Sequence, residues 1–269
     1  EKIMATNQKY LKKFLTEEAP AKLESQLEHM DWSYLDMIHN KEQQRGAFSP
    51  LAAMELSEIE ANKDKYLATG LDAVKNGKVG AILLAGGQGT RLGFDKAKGM
   101  FNIGKTKELY IFEQLVANLM KVTNQTGTWV PLYVMTSEIN DGMTREFFEE
   151  HDYFGYNKDY VKFFVQEMVP AVDFDGNLLM KSEDSLAMSP NGNGGWFKSL
   201  INAGLDKDLK DKGVEWLNVF AVDNVLQRIA DPCFVGATIT ENRSVGAKVV
   251  CKNHPDEKVG VMCLKDNHP

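Results

Sequence analysis

Apolar residues recur in two rhythms along this chain, and the change comes near residue 78. Before it they keep helical spacing. Tyr10, Leu11, Phe14 and Leu15 form one stripe, Leu23, Leu27 and Met30 a second that Pro20 opens, and Tyr34, Leu35 and Ile38 continue it. Gly46–Pro50 reads as a break, and a further helix is predicted over about Ser57–Asn76 with Gly77 as its stop. After residue 78 short apolar runs alternate with helical stretches. Val79–Leu84, Val130–Thr136, Tyr160–Val165 and Val214–Val222 are predicted strands. Phe112, Leu115, Leu119 and Val122 share a helical face, and Thr144–Glu150 and Trp196–Leu205 are further predicted helices. Asp175-Gly176 is a hairpin turn signal, Asp231-Pro232 opens a helix, and Gly246–Cys251 and Val259–Leu264 read as two last strands. Such alternation predicts an α/β fold, a Rossmann-like and mostly parallel sheet with helices on both faces. The predicted division is an N-terminal helical lobe, residues 1–77, and an α/β domain, residues 78–269.

With 269 residues, 43% of them hydrophobic, the chain can bury a sizeable core. Its formal net charge of −7 argues against a general nucleic-acid or anionic-membrane surface, so an anionic ligand needs a local basic pocket. Cys233, Cys251 and Cys263 have no CxxC spacing, which predicts free buried thiols and a reducing compartment. No apolar run approaches membrane-spanning length and no signal-peptide pattern opens the chain, so the expectation is a cytoplasmic protein. The five histidines match no ligand spacing.

The chemistry concentrates in VGAILLAGGQGTRLGFDKAKGMFNIG, Val79–Gly104. A predicted strand ends at Leu84-Ala85 and runs into Gly86-Gly87-Gln88-Gly89, then Thr90 and Arg91, then Lys96, Lys98 and Lys105. A glycine-rich loop lets backbone N–H groups approach an anion closely. Guanidinium and ammonium groups beside it suit phosphate oxygens. Gly99–Thr106 spells GxxxxGKT, the pattern of a P-loop NTPase, but charged and glycine-broken residues precede it where a strand is required. A dinucleotide loop fits poorly too, since Leu92 stands where the third glycine belongs.

LLAGGQGTRLG followed by KAKGM resembles the signature of the UDP-sugar pyrophosphorylases, in particular the eukaryotic-type UDP-N-acetylglucosamine pyrophosphorylases. NGNGGWFKSL (Asn191–Leu200), VFAVDNVLQRIADPCFVG (Val219–Gly236), GAKVV and VGVMC agree, in the same order. The resemblance implies a sheet of the nucleotide-diphospho-sugar transferase type. It also implies a uridylyltransferase that makes UDP-sugar and pyrophosphate from UTP and a sugar 1-phosphate, with Mg²⁺.

The resemblance assigns roles to particular residues. Leu84, Ala85, Gly86, Gly87, Gln88, Gly89 and Thr90 would line the nucleotide, Arg91 would hold the leaving pyrophosphate, and Lys98 would contact the phosphate under attack. Gln166, an ordinary surface glutamine by residue type alone, would read the uracil edge. Gly192, Asn193 and Gly194, otherwise a plain Asn-Gly turn, would lie over the uridine, and Asp223, otherwise a helix-capping residue, would meet Mg²⁺. The family usually has Asp at position 191 and Pro at position 97, where this chain has Asn191 and Ala97, so the loop before Lys98 is less restrained. Members of the family continue past VGVMC into much of the sugar pocket, so the expectation is the nucleotide-binding portion of a longer enzyme, one that binds UTP but by itself makes no UDP-sugar. Two other readings stay open, a non-catalytic uridine-nucleotide-binding module and a P-loop NTPase. Neither the sugar nor the oligomeric state is legible.

Overall fold

A computed structural model describes residues 8–15, 18–33, 35 and 46–268. Its chain divides into two compact units. The smaller comprises Glu1–Ser49, Glu167–Asn191 and Cys263–Pro269, and the larger Pro50–Gln166 and Gly192–Met262.

The larger unit is built on four parallel strands in the order Val161–Val165, Leu132–Thr136, Val79–Leu84, Trp216–Ala221. All six residues of Val79–Leu84 are buried, as a central strand of a parallel sheet must be. Successive side chains point to opposite faces. Ala81 and Leu83 therefore join one core with Ile111, Phe112, Leu115, Val134 and Phe148, while Ile82 and Leu84 join another with Tyr133, Met135, Phe164, Leu200 and Leu209. The helices Ile111–Thr126 and Asp141–Glu150 cover the first face, and Trp196–Asn202 with Leu205–Asp211 cover the second. Tyr133 Oη donates to Asp208 at 2.7 Å, which ties the sheet to the second layer; burial, then the Asp208 carboxylate, raises the phenol pKa and keeps it a donor.

From Val79–Leu84 the chain steps outward to Leu132–Thr136 and Val161–Val165, then returns to the other side of the first strand as Trp216–Ala221. The order reverses at the carboxyl ends of Val79–Leu84 and Trp216–Ala221, the kind of crevice in which open α/β sheets bind ligands.

Helices Leu56–Ala61 and Lys63–Lys75, expected as one helix of the N-terminal lobe, are two and belong to the larger unit. Gly70 explains the placement. A Cβ there would collide with the carbonyl of Pro232, and one at Gly236 with the carbonyl of Tyr66, so two glycines let Lys63–Lys75 and Pro232–Thr240 cross at backbone contact. Asp231 caps the latter helix through the Cys233 N–H at 3.1 Å, with Pro232 at its first position, as the Asp-Pro pair predicts. The predicted Trp196–Leu205 helix ends at Asn202 because Gly204, at φ 72°, turns the chain into a second helix.

In the smaller unit the 3-10 helix Lys9–Leu15, the helix Ala21–His29 and the short strands Met180–Ser182 and Ser185–Leu186 enclose Leu11, Leu23, Leu27, Leu35, Leu178 and Leu186. Tyr34 and Ile38 lie outside the described residues. The Asp175-Gly176 turn forms as predicted, with Val172 bridged to Leu178 and Gly176 at φ 81°.

The last two predicted strands need correction. Gly246–Cys251 forms no strand and is exposed, and of the final run only Cys263–Lys265 forms a strand, paired with Phe48–Pro50. Apolar patterning marks a strand only where a neighbour accepts its hydrogen bonds, and Gly246–Cys251 has none among the described residues. All three cysteines are free, but none is buried as expected: Cys233 and Cys263 are half-buried, and Cys251 is exposed because the stretch that carries it packs against no strand among the described residues.

Candidate functional site

The central strand delivers Leu84 and buried Ala85 to the crevice, and the chain leaves it through Gly86–Gly89. Gln88 bridges Ala97 in antiparallel fashion. Gly89 N–H donates to Lys96 O at 3.0 Å, and Lys98 N–H to Gly87 O at 3.3 Å. The glycine loop and the lysine segment are thus two limbs of one hairpin. Gly89 is required in it, since a Cβ there would press on Phe94. The amides of Gly86, Gly87 and Gln88 have no hydrogen-bond partner among the described residues, and the Gln88 side-chain amide nitrogen is buried without one. Unpartnered donors on a glycine loop are free to meet an anionic ligand.

Lys98 begins a 3-10 turn, Lys98–Met100, and its ammonium pairs with the Asp223 carboxylate. Asp223 follows the strand Trp216–Ala221, so the pair spans the crevice where the strand order reverses. The turn after Asp223 is pinned from behind by Asn118, whose Nδ2 donates to Val225 O at 2.9 Å and Gln227 O at 3.2 Å. Ala97 is fully buried, so its burial and the bridge to Gln88 restrain the backbone before Lys98 where proline would have done so.

Gln166 follows Val161–Val165 as predicted but is no surface residue. It is 6% exposed, its N–H donates to Thr136 O at 2.9 Å, and its carboxamide lies where a Cβ on Gly86 would be. The Gly192–Gly194 turn opens the helix Trp196–Asn202, with Gly192 at φ 76° and open space over Gly192 and Gly194. That helix shares a core with the Val161–Val165 strand through Leu200 and Phe164.

The fold therefore brings Gly86, Gly87, Gln88, Gly89, Lys98, Gln166 and Asp223 into one connected site. It does not tie Thr90, Arg91 or the Gly192–Gly194 turn to it. Thr90 and Arg91 are exposed on the turn Thr90–Leu92, Arg91 has no ion pair among the described residues, and no hydrogen bond joins Asn193 to the glycine loop. Asp223 offers a carboxylate to the crevice, and no group of three or more metal-ligating side chains occurs among the described residues. That donor set fits Mg²⁺ bound to a triphosphate, which takes one or two carboxylates and fills its sphere with phosphate oxygens and water. It does not fit a protein-bound metal.

Gly99–Thr106 is not a phosphate loop. Gly99 is buried against the Phe112 ring, Asn102 Oδ1 accepts from the N–H groups of Gly104 and Leu109, and the next helix starts only at Ile111. A P-loop joins a strand directly to a helix. Sequence reasoning missed Asn118 and Asn140. Each is a buried asparagine on or at the start of a helix, bonded to carbonyls of a distant loop. Polar residues at core positions were the available signal.

The family model described as UTP–glucose-1-phosphate uridylyltransferase matches residues 11–269. UDP-N-acetylhexosamine pyrophosphorylase-like protein 1 of Mus musculus is 42% identical over 206 residues, covering 74% of this chain and 41% of that protein. UDP-N-acetylglucosamine pyrophosphorylase of Saccharomyces cerevisiae is 34% identical over 267 residues, covering 96% and 55%. The crystal structure of the uridine diphosphate N-acetylglucosamine pyrophosphorylase from Trypanosoma brucei in complex with an inhibitor superposes with a TM-score of 0.82 at 29% identity, over 99% of this chain and 58% of that one. This chain spans about half the length of the curated relatives it matches. No helix among the described residues is long and apolar enough to cross a membrane. A crevice with free loop amides, the Lys98–Asp223 pair across it and a family match over nearly the whole length lead to one conclusion: the chain belongs to the UTP–glucose-1-phosphate uridylyltransferase family.

Proposed function

We propose that this chain carries the UTP site of a uridylyltransferase that makes a UDP-N-acetylhexosamine, with N-acetylglucosamine 1-phosphate as the first substrate to try. The pair of Lys98 and Asp223 across the crevice, beside three unpartnered loop amides, is the observation that carries the reading. The names of the relatives support the choice of sugar.

In the proposed reaction a phosphate oxygen of the sugar 1-phosphate attacks the α-phosphorus of UTP. The bond from that phosphorus to the bridging oxygen breaks, and pyrophosphate leaves. The nucleophile is already an anion and needs no base, so the protein contributes positioning and charge stabilisation. The loop amides of Gly86–Gln88 donate to phosphate oxygens. Lys98 exchanges its carboxylate partner for the phosphate under attack, and Arg91 meets the departing pyrophosphate. Gln166 presents donor and acceptor to the uracil edge, with the Gly192–Gly194 turn over the ring. Asp223 would hold Mg²⁺, which supplies charge neutralisation at the phosphate oxygens.

The test is calorimetric titration with UTP and Mg²⁺, followed by pyrophosphate release with N-acetylglucosamine, glucose and galactose 1-phosphates. UTP binding by this chain, with release dependent on one sugar phosphate in the full-length protein and none from this chain alone, is the expected result. Binding without release for any of them from the full-length protein would favour a non-catalytic uridine-nucleotide module, and no UTP binding would refute the reading.

A further inference from the structure

Asn140 stands at the N-terminal cap of the helix Asp141–Glu150, where an asparagine side chain ordinarily accepts an N–H of the first turn. Here it makes no such bond. The side chain is turned the other way and is fully buried. Its Oδ1 accepts the Ser137 N–H at 2.7 Å, and its Nδ2 donates to Ala85 O at 3.1 Å and Gly87 O at 3.5 Å. Forgoing a cap weakens a helix, so the sequence gives up local stability to grip the glycine loop.

The grip falls on two alternate carbonyls. A trans peptide is planar, with its C=O and N–H on opposite sides. Holding Ala85 O toward Asn140 therefore turns the Gly86 N–H away from it, and holding Gly87 O does the same for the Gln88 N–H. Those two amides belong to the set without a partner among the described residues. Lys98 N–H also donates to Gly87 O, so the carbonyl that Asn140 fixes is the one that registers the catalytic lysine segment. Glycine loops flip peptides readily because no Cβ resists. A loop free to flip would also present carbonyl oxygens to an anion. Thr136 braces the same corner by donating to Asp141 at 2.5 Å and Phe164 O at 3.1 Å, so the anchor of Asn140 is rigid.

We infer that Asn140 is a positioning residue for the phosphate loop: its carboxamide fixes the Ala85 and Gly87 carbonyls so that the Gly86 and Gln88 amides face the triphosphate. The inference rests on the proposed UTP site. It makes a demand that a plain structural tie does not: loss of Asn140 must weaken the hold on phosphate while leaving the hold on the nucleoside.

Asn140→Asp keeps the shape and the acceptor for Ser137, removes the donor, and sets an oxygen against both carbonyls. Titrated with UTP and Mg²⁺, this variant of the 269-residue chain is expected to bind roughly tenfold or more weakly than wild type, the scale of one lost buried hydrogen bond. Uridine, which lacks the triphosphate, should bind both alike, and the Gly86 and Gln88 amide resonances should no longer shift on adding UTP. Thermal melting checks the fold, and if Asn140→Asp does not fold, Asn140→Ser, too short to reach Ala85, takes its place. A folded variant that holds UTP within twofold of wild type, or that loses uridine and UTP equally, overturns the inference. So does failure of both variants to fold, which would make Asn140 a structural tie. If wild type itself does not bind UTP, the proposed function fails first and this inference with it.

Discussion

Arg91 is the site residue that the fold leaves most independent, exposed on a short turn and without an ion pair among the described residues. Such a side chain contributes little to stability, so Arg91→Ala should melt within a degree or two of wild type. If it stabilises the leaving pyrophosphate, the same change in the full-length protein should lower kcat by ~10²–10³, the usual scale for one preorganised charge-stabilising donor. Steady-state kinetics beside a melting curve separates the two effects, and a kcat within about threefold of wild type would remove Arg91 from the transition state. Gln166 is the opposite case, buried and laid over Gly86. As reader of the uracil edge it should favour UTP over CTP by roughly 1–3 kcal/mol, since the 4-position changes from acceptor to donor and a buried group loses its partner. Equal affinities by calorimetry would sink the uracil role and leave the phosphate loop standing.

Elements here are held at contact points that admit little change. The helices Lys63–Lys75 and Pro232–Thr240 cross where Gly70 meets Pro232 and Gly236 meets Tyr66, with Tyr66 Oη donating to Glu241 at 2.9 Å. A methyl at either glycine must push backbone apart, so Gly70→Ala and Gly236→Ala should each destabilise by about 1–3 kcal/mol despite alanine's better helix propensity. For a chain of this size that is a loss of several degrees in Tm, readable by calorimetry. A neutral or raised Tm would mean that the helices can separate at no cost. Asn118 links element to site in the same way. Asn118→Leu should release the Val225–Gln227 turn and weaken UTP binding through Asp223, while Gln166-dependent selection of uracil persists.

At the scale of the molecule, one crevice gathers residues from Leu84 to Asp223, so filling it should stabilise the whole larger unit. UTP with Mg²⁺ at about a hundred times its Kd should add ~2.7 kcal/mol, a rise in Tm of about 5–10 °C. EDTA should cut that rise sharply, because the triphosphate would then face the Asp223 carboxylate without a metal. A thermal shift equal with and without EDTA would argue against Asp223 as the metal contact.

Much of this was legible in the residues. The six-residue run Val79–Leu84 read as a buried strand, because it is short and apolar throughout, and the structure makes it a central one. Glycines in the loop after it, and the asparagine-glycine turn before Trp196, marked close approach and helix entry because local backbone chemistry fixes them. What depends on partners far along the chain was not legible. Gln166 had the residue type of a surface side chain until the fold laid it over Gly86. Gly246–Cys251 had the pattern of a strand and lacks a neighbour among the described residues. Two asparagines that nothing in the sequence singled out hold the site's loops, and Lys98 meets Asp223 across 125 positions of sequence. Local sequence determines dihedral preference and which face is apolar. Only the packed sheet, by reversing strand order beside Val79–Leu84, decides which distant polar groups meet.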